Sequence, residues 1–296
     1  MFGKVPAMES ASDADIRLLT AADLGGALTL STTAGWNQRL ADWRMLLQLA
    51  PAGSFVALSA DRIVGTAIGI DYGAFAWVAM MLVDPSYRGQ GLGARLLEAA
   101  IGAVPRDHPV RLDATPMGRP LYQRFGFADE ATLTRHTADA SRPPFLNDAV
   151  TCGIRSLSAA DVRAFTGIDA GVFGANRRIL LEWALGGAPE YAHAIETGGT
   201  LGYGFGRPGR LFHQIGPVIA PGEPEARALV AAAVTAAAGH DVVADVFDAQ
   251  TSFAGWLRGC GFVAQRPLFR MCRGPLPEPR RTPGHQEYAI FGPEFA

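Results

Sequence analysis

The chain has 296 residues, enough for about two ordinary domains. Hydrophobic residues make up 49% and charged residues 18%, the composition of a soluble globular protein with ample core. The formal net charge of −2 excludes a long-range electrostatic pull on nucleic acid or an anionic membrane, so any anion must be held locally.

The first fifteen residues, MFGKVPAMESASDAD, lack an apolar core and a cleavage signature, and so read as a mobile tail rather than a signal peptide. The spacing then predicts a strand at Ile16–Leu19 and helices near Ala21–Ser31 and Gln38–Ala50. Strands follow at Phe55–Ser59, Ile63–Asp71 and Phe75–Val83. The last of these, FAWVAMMLV, is apolar throughout, as expected of a strand covered on both faces. A helix is predicted over Leu92–Ala103, a strand over Val110–Ala114, a short helix over Arg119–Phe125 and a strand after Gly126. No apolar run reaches the ~18 residues a membrane span needs. Cys152, Cys260 and Cys272 are odd in number and outside any C-x-x-C pattern, which reads as reduced thiols in a cytosolic protein. The six histidines form no metal-ligand pair.

The second half repeats this order. Gly126-Phe127 is followed by Leu133 and Arg135; Gly261-Phe262 is followed at identical offsets by Leu268 and Arg270. VRLD (Val110–Asp113) matches VVAD (Val242–Asp245), and Val83-Asp84-Pro85 matches Ile219-Ala220-Pro221. The shared order argues for a duplicated domain, with the connection near the proline-bearing Ala138–Ala149. One feature is not repeated. VDPSYRGQGLGARLLEAA (Val83–Ala100) places three glycines where a helix begins, whereas Pro221 is followed by GEPEARALVAAAV, whose glutamates suit a helix dipole and repel phosphate.

Free amides at a helix start bind phosphate oxygens, and glycines let a ligand approach them. A P-loop requires G-K-[S/T] after its glycines, and here Ala94-Arg95 follows; a dinucleotide fingerprint requires G-x-G-x-x-G hard against the strand. Neither fits, and the turn by itself is equally compatible with a sharp strand-to-helix connection. The stretch resembles the acyl-coenzyme A signature of the GNAT superfamily of N-acyltransferases, [Q/R]-x-x-G-x-[G/A], with Arg88, Gly91 and Gly93 in its three fixed positions. LDATPMGRPLYQRFGF resembles the later GNAT segment ending lYxxxGF, and together the two cover most of Ile16–His136. Val172–Trp183 and the chain end resemble the C-terminal variant GNAT domain of two-domain proteins of the YitH type.

The resemblance implies an α/β (α+β) fold of two tandem GNAT-like domains, each a mixed, mostly antiparallel sheet flanked by helices, the second degenerate. The expected division is a tail over 1–14, a catalytic domain over 15–138, a linker over 139–150, a degenerate domain over 151–274 and a docking tail over 275–296. It further implies that the coenzyme A pyrophosphate lies on the turn formed by Arg88, Gly89, Gln90, Gly91, Leu92, Gly93 and Ala94, with the pantetheine alongside Leu82 and Val83. A backbone amide there would stabilise the oxyanion, an effect worth ~3–4 kcal/mol. Tyr122 takes the position of the acid that protonates the departing thiolate, and the second half has Leu257 at that offset, so a single active site is expected, in the first domain. Thr115 stands where the family often has asparagine.

The strand before the turn carries no carboxylate to act as base, which leaves a water chain, Asp113 or a group from the other domain. The apolar chain end should dock, either covering core or bringing Glu294 or the terminal carboxylate to the acceptor. Trp36 and Asn37, with Gln38, are expected on the acceptor side, and Trp43 in the core. The expected activity is direct acetyl transfer in a ternary complex, from acetyl-CoA to a small-molecule amine or amino acid. It would need no metal, nucleic acid or membrane, and would be performed in the cytoplasm by a monomer (a pseudo-dimer) or a homodimer. The alternatives are a noncatalytic acyl-CoA sensor and a protein or peptide N-acetyltransferase.

Overall fold

The computed structural model describes residues 14–142, 144, 146, 153–275 and 284–296. Residues 1–13 of the expected tail, part of the expected linker (143, 145 and 147–150), Thr151, Cys152 and the proline-rich residues 276–283 lie outside this description. The first repeat runs β1 (Asp15–Leu18), α1 (Leu24–Thr33), α2 (Leu40–Leu49), β2 (Ser54–Ser59), β3 (Arg62–Asp71), β4 (Ala76–Val83), α3 (Leu92–Gly102), β5 (Val110–Ala114), α4 (Arg119–Arg124) and β6 (Ala128–Ala138). The second runs β7 (Ile154–Ser156), α5 (Ala159–Phe173), α6 (Arg178–Gly187), β8 (His193–Thr197), β9 (Thr200–Arg207), β10 (His213–Ala220), α7 (Glu223–Ala236), β11 (Val242–Phe247), α8 (Thr251–Gly259) and β12 (Val263–Arg273), followed by β13 (Gln286–Ala289). The predicted order is thus present in both halves. The first helix starts later than expected, because Thr20 and Asp23 bond to each other and hold Ala21–Asp23 in a 3-10 turn.

The chain forms two compact units. The first comprises residues 1–71 and 78–106. Its strands lie in the order β1, β2, β3, β4, with β1–β2 and β2–β3 antiparallel. Helix α3 is amphipathic at helical period: Leu92, Leu96, Leu97 and Ala100 are buried.

The second unit comprises residues 72–77 and 107–296. Its strands lie in the order β5, β12, β6, β11, β10, β9, β8, β7, with β13 on β10. The start of β4 joins it, pairing in parallel as Ala76 with Val110 and Trp77 with Arg111. One large cluster in its core includes Tyr191, Ile215, Leu229, Val242, Phe253, Leu257 and Tyr288.

The two repeats exchange strands inside this second unit. Strand β12, the last of the second repeat, lies between β5 and β6 of the first, and β6 lies between β12 and β11 of the second. The duplicated acids and arginines pair crosswise. Arg270 places Nε and NH2 2.9 Å from the two oxygens of Asp113, while Arg135 does the same with Asp245 at 2.7 Å. The duplicated leucines, Leu133 and Leu268, are directly opposite in the β6–β12 ladder. The compact units and the sequence repeats are therefore different divisions of the chain.

Candidate active site

The glycine turn lies wholly in the first unit. Asp84 caps a short 3-10 turn at Pro85–Tyr87 by accepting from the Ser86 amide at 2.9 Å, and Arg62 neutralises its carboxylate at 2.6 Å. Gly89 and Gly91 then adopt φ of +75° and +85°, a backbone region that disfavours side chains, and Gly91 caps α3. A Cβ at either position would meet nothing within 4 Å, so open space faces the backbone. The amides of Arg88 and Ala94 bond to the carbonyls of Pro85 and Gly91. Those of Gly89, Gly91, Leu92 and Gly93 have no protein acceptor among the described residues. The expected cradle of Arg88–Ala94 is thereby narrowed, since its two outer amides are spent inside the turn. Arg88 is exposed and donates from Nε to the Val83 carbonyl at 3.0 Å; Gln90 donates to the Ser86 carbonyl at 3.1 Å. Left-handed glycines at alternate positions, with amides that have no protein acceptor at a helix start, fit an oxyanion such as a pyrophosphate.

Strand β4 leads into this turn. Its side chains are buried at almost every position, Leu82 among them, and Val83 is half-buried. Sequence reasoning missed its main irregularity. Met80 takes φ +50°, and its carbonyl accepts a bond from the Thr66 hydroxyl at 2.7 Å. An apolar residue in a run of apolar residues gives no signal of such a kink. The nearest available hint was Thr66, a hydroxyl on a strand whose neighbours are buried.

The segment between α1 and α2, expected on the acceptor side, places Trp36 half-buried and Asn37 and Gln38 buried. The Gln38 Oε1 is shut off from solvent with no donor among the described residues. Trp43 is core, its indole N–H donating to the Ser31 hydroxyl at 3.2 Å.

Tyr122, in the second unit, sits on α4. The Gly118 amide bonds to the Thr115 carbonyl, at 3.0 Å, and hydroxyl, at 3.2 Å, which starts the short helix. The Tyr122 carbonyl ends it by accepting from the Phe125 and Phe127 amides. Its ring packs edge-on to Phe127 at 5.9 Å, and burial pushes its phenol well above the ordinary tyrosine range. The two proposed carboxylate bases are differently placed. Both Asp113 oxygens are taken by Arg270, whose guanidinium lies between the rings of Trp77 at 5.0 Å and Phe247 at 4.8 Å. Glu294 is buried in an ion pair with Arg207, which lies over Phe291 and Phe295. Both carboxylates are thus engaged by buried arginines, and the chain end, including Ile290, Phe291, Phe295 and Ala296, is buried.

The second repeat handles the matching places otherwise. Glu223 binds Arg227 and the Ser252 hydroxyl at the start of α7, and a Cβ on Gly222 would lie 2.8 Å from Glu225 Oε2. Carboxylates thus crowd the helix start that would take a phosphate. Leu257, the counterpart of Tyr122, is fully buried. Among the described residues no cluster of His, Cys, Asp and Glu is placed to hold a metal ion, and no helix is long and apolar enough to cross a membrane.

The acetyltransferase (GNAT) domain family matches the chain twice, over residues 51–129 and, in a second form, over residues 165–283. The uncharacterized N-acetyltransferase YitH of Bacillus subtilis is 27% identical over 210 residues, covering 70% of this chain and 73% of YitH. Holothin acyltransferase of a Pseudoalteromonas species is 24% identical over 250 residues, 82% of each chain. A solved Pyrococcus horikoshii structure classed as an acetyltransferase covers 95% of each chain with a TM-score of 0.78 at 19% identity, a likeness of fold. With the duplicated element order already described, these matches identify the chain as an acyltransferase carrying two GNAT acetyltransferase domains in tandem.

Proposed function

We propose that the chain transfers an acetyl group from acetyl-CoA directly to a small-molecule amine or amino acid within a ternary complex. The observation that carries the donor half is the set of four amides without a protein acceptor at Gly89, Gly91, Leu92 and Gly93. They fit a pyrophosphate, with Leu82 and Val83 beside the pantetheine. The amine forms the new C–N bond as the C–S bond breaks, and Tyr122 gives its proton to the leaving sulfur. The amine's proton passes to water, since Asp113 and Glu294 are held by arginines. Trp36, half-buried before α2, is the side chain of this segment that stays open to an acceptor. The crosswise ion pairs between repeats support a monomer built as a pseudo-dimer.

Thiol release from acetyl-CoA in the presence of an amine panel tests the reading. Acceptor-dependent release is expected, and Gly91→Val should abolish both release and acetyl-CoA binding. Its side chain would strain a φ of +85° and cover the open amides. Unchanged affinity in the variant would make the turn purely structural. Binding without acceptor-dependent release would refute transfer to amines of the panel's class.

A further inference from the structure

The root of β4 is held by the far end of the chain. The Tyr72 hydroxyl donates to the Phe295 carbonyl at 2.9 Å, and the Trp77 indole N–H donates to the Pro293 carbonyl at 3.1 Å. The tail carrying these carbonyls is itself fixed. Strand β13 pairs with β10, the Ile290 amide bonds to the Asp245 carbonyl at 3.1 Å, and Glu294 pairs with Arg207. Tyr72 also meets Phe173 edge-on at 5.2 Å, and Phe75 meets the same ring at 5.2 Å. The Trp77 ring lies against Arg270, which is held by Asp113 of β5, and the Trp77 backbone pairs with Arg111 of the same strand. Tail, β5 and β12 together therefore fix the first residues of β4. Three residues beyond Trp77 the strand takes its left-handed step at Met80, then runs through Leu82 and Val83 into the glycine turn. A methionine keeps such a backbone only where its surroundings over-determine it.

We propose that Trp77 and Tyr72 are positioning residues for donor binding, through which the tail of the second repeat sets the strand that receives acetyl-CoA. This rests on the donor reading given above. The two hydrogen bonds lie at the base of the strand and touch no part of the donor; they act through the β4 backbone, fixing where the kink and the strand end are presented.

Calorimetric titration of the full chain with acetyl-CoA tests it. Trp77→Phe and Tyr72→Phe each keep a ring and remove only the N–H or O–H donor. The double variant is expected to weaken acetyl-CoA binding by about five- to tenfold, the scale of roughly one net hydrogen bond. Trp43→Phe, which removes a comparable indole bond in α2, should leave the dissociation constant at the wild-type value. A double variant with lowered melting temperature but wild-type affinity would make the contacts merely structural and overturn the proposal. If the double variant fails to fold, the single variants carry the same comparison. A wild-type chain that does not bind acetyl-CoA would fail the donor reading itself, and this inference with it.

Discussion

A phenol that hands over a proton must keep it until the step arrives. Tyr122 is 7% exposed, and burial holds its pKa above the ordinary value of about 10, so the acid form persists throughout the neutral and mildly alkaline range. Tyr122→Phe should lower kcat by about 10²- to 10⁴-fold while leaving acetyl-CoA affinity nearly intact. In the wild type, kcat should show no loss from this group below about pH 10. A phenylalanine variant within threefold of wild-type kcat would remove Tyr122 from the chemistry. A second buried group titrates with the opposite sign. His136 is 1% exposed, donates from Nδ1 to the Thr134 carbonyl at 3.0 Å, and buries Nε2 without a partner. Burial lowers its pKa, so the unfolded chain takes up the proton first, near pH 6.5. Its contribution to stability is present above that pH and is lost as pH falls. The drop in urea midpoint between pH 7.5 and 5.5 should shrink in His136→Phe; an unchanged drop would assign it to other groups.

At the scale of elements, the two crosswise ion pairs define the exchange of strands. The side chains of Asp113 and Asp245 are completely buried, each gripped at both oxygens by an arginine of the other repeat. Removing one partner leaves a buried charge uncompensated, so Arg270→Met should cost about 3–5 kcal/mol in urea unfolding. Asp113→Leu combined with Arg270→Met should cost much less, because apolar groups of similar volume replace a pair that was expensive to desolvate. Equal losses in the single and double variants would show that packing against Trp77 and Phe247, not the uncompensated charge, sets the cost. The residues of these pairs were legible in the sequence as duplicated offsets. Their partners were not: Asp113 has an equivalent arginine at Arg135 in its own repeat and at Arg270 in the other, and identical local patterns do not distinguish the two pairings. Strand positions were readable because period and turn residues act locally, whereas the choice between equivalent partner strands is made by tertiary closure.

For the molecule as a whole, the duplication does not extend to the glycine turn, which only the first repeat carries. In the second repeat β10 pairs with β11 only at His213 and Gln214, and β9 occupies its other edge. Strand β13 then takes over the flank that β11 leaves, pairing at Val218, Ile219 and Ala220. The approach is so close that a Cβ on Gly216 would lie 1.9 Å from the Ile290 carbonyl oxygen. The sequence showed the acidic helix start and an apolar chain end suited to a strand or plug over core, but not which edge that end covers. These are two independent obstacles to a second donor: carboxylates at the helix start, and polypeptide along the strand. Calorimetry should therefore find one acetyl-CoA per chain. Glu223→Gln with Glu225→Gln should leave that stoichiometry at one, since neutralising the helix start does not move β13. A second binding event in this double variant would mean that charge alone closes the site and that the tail yields its place on β10.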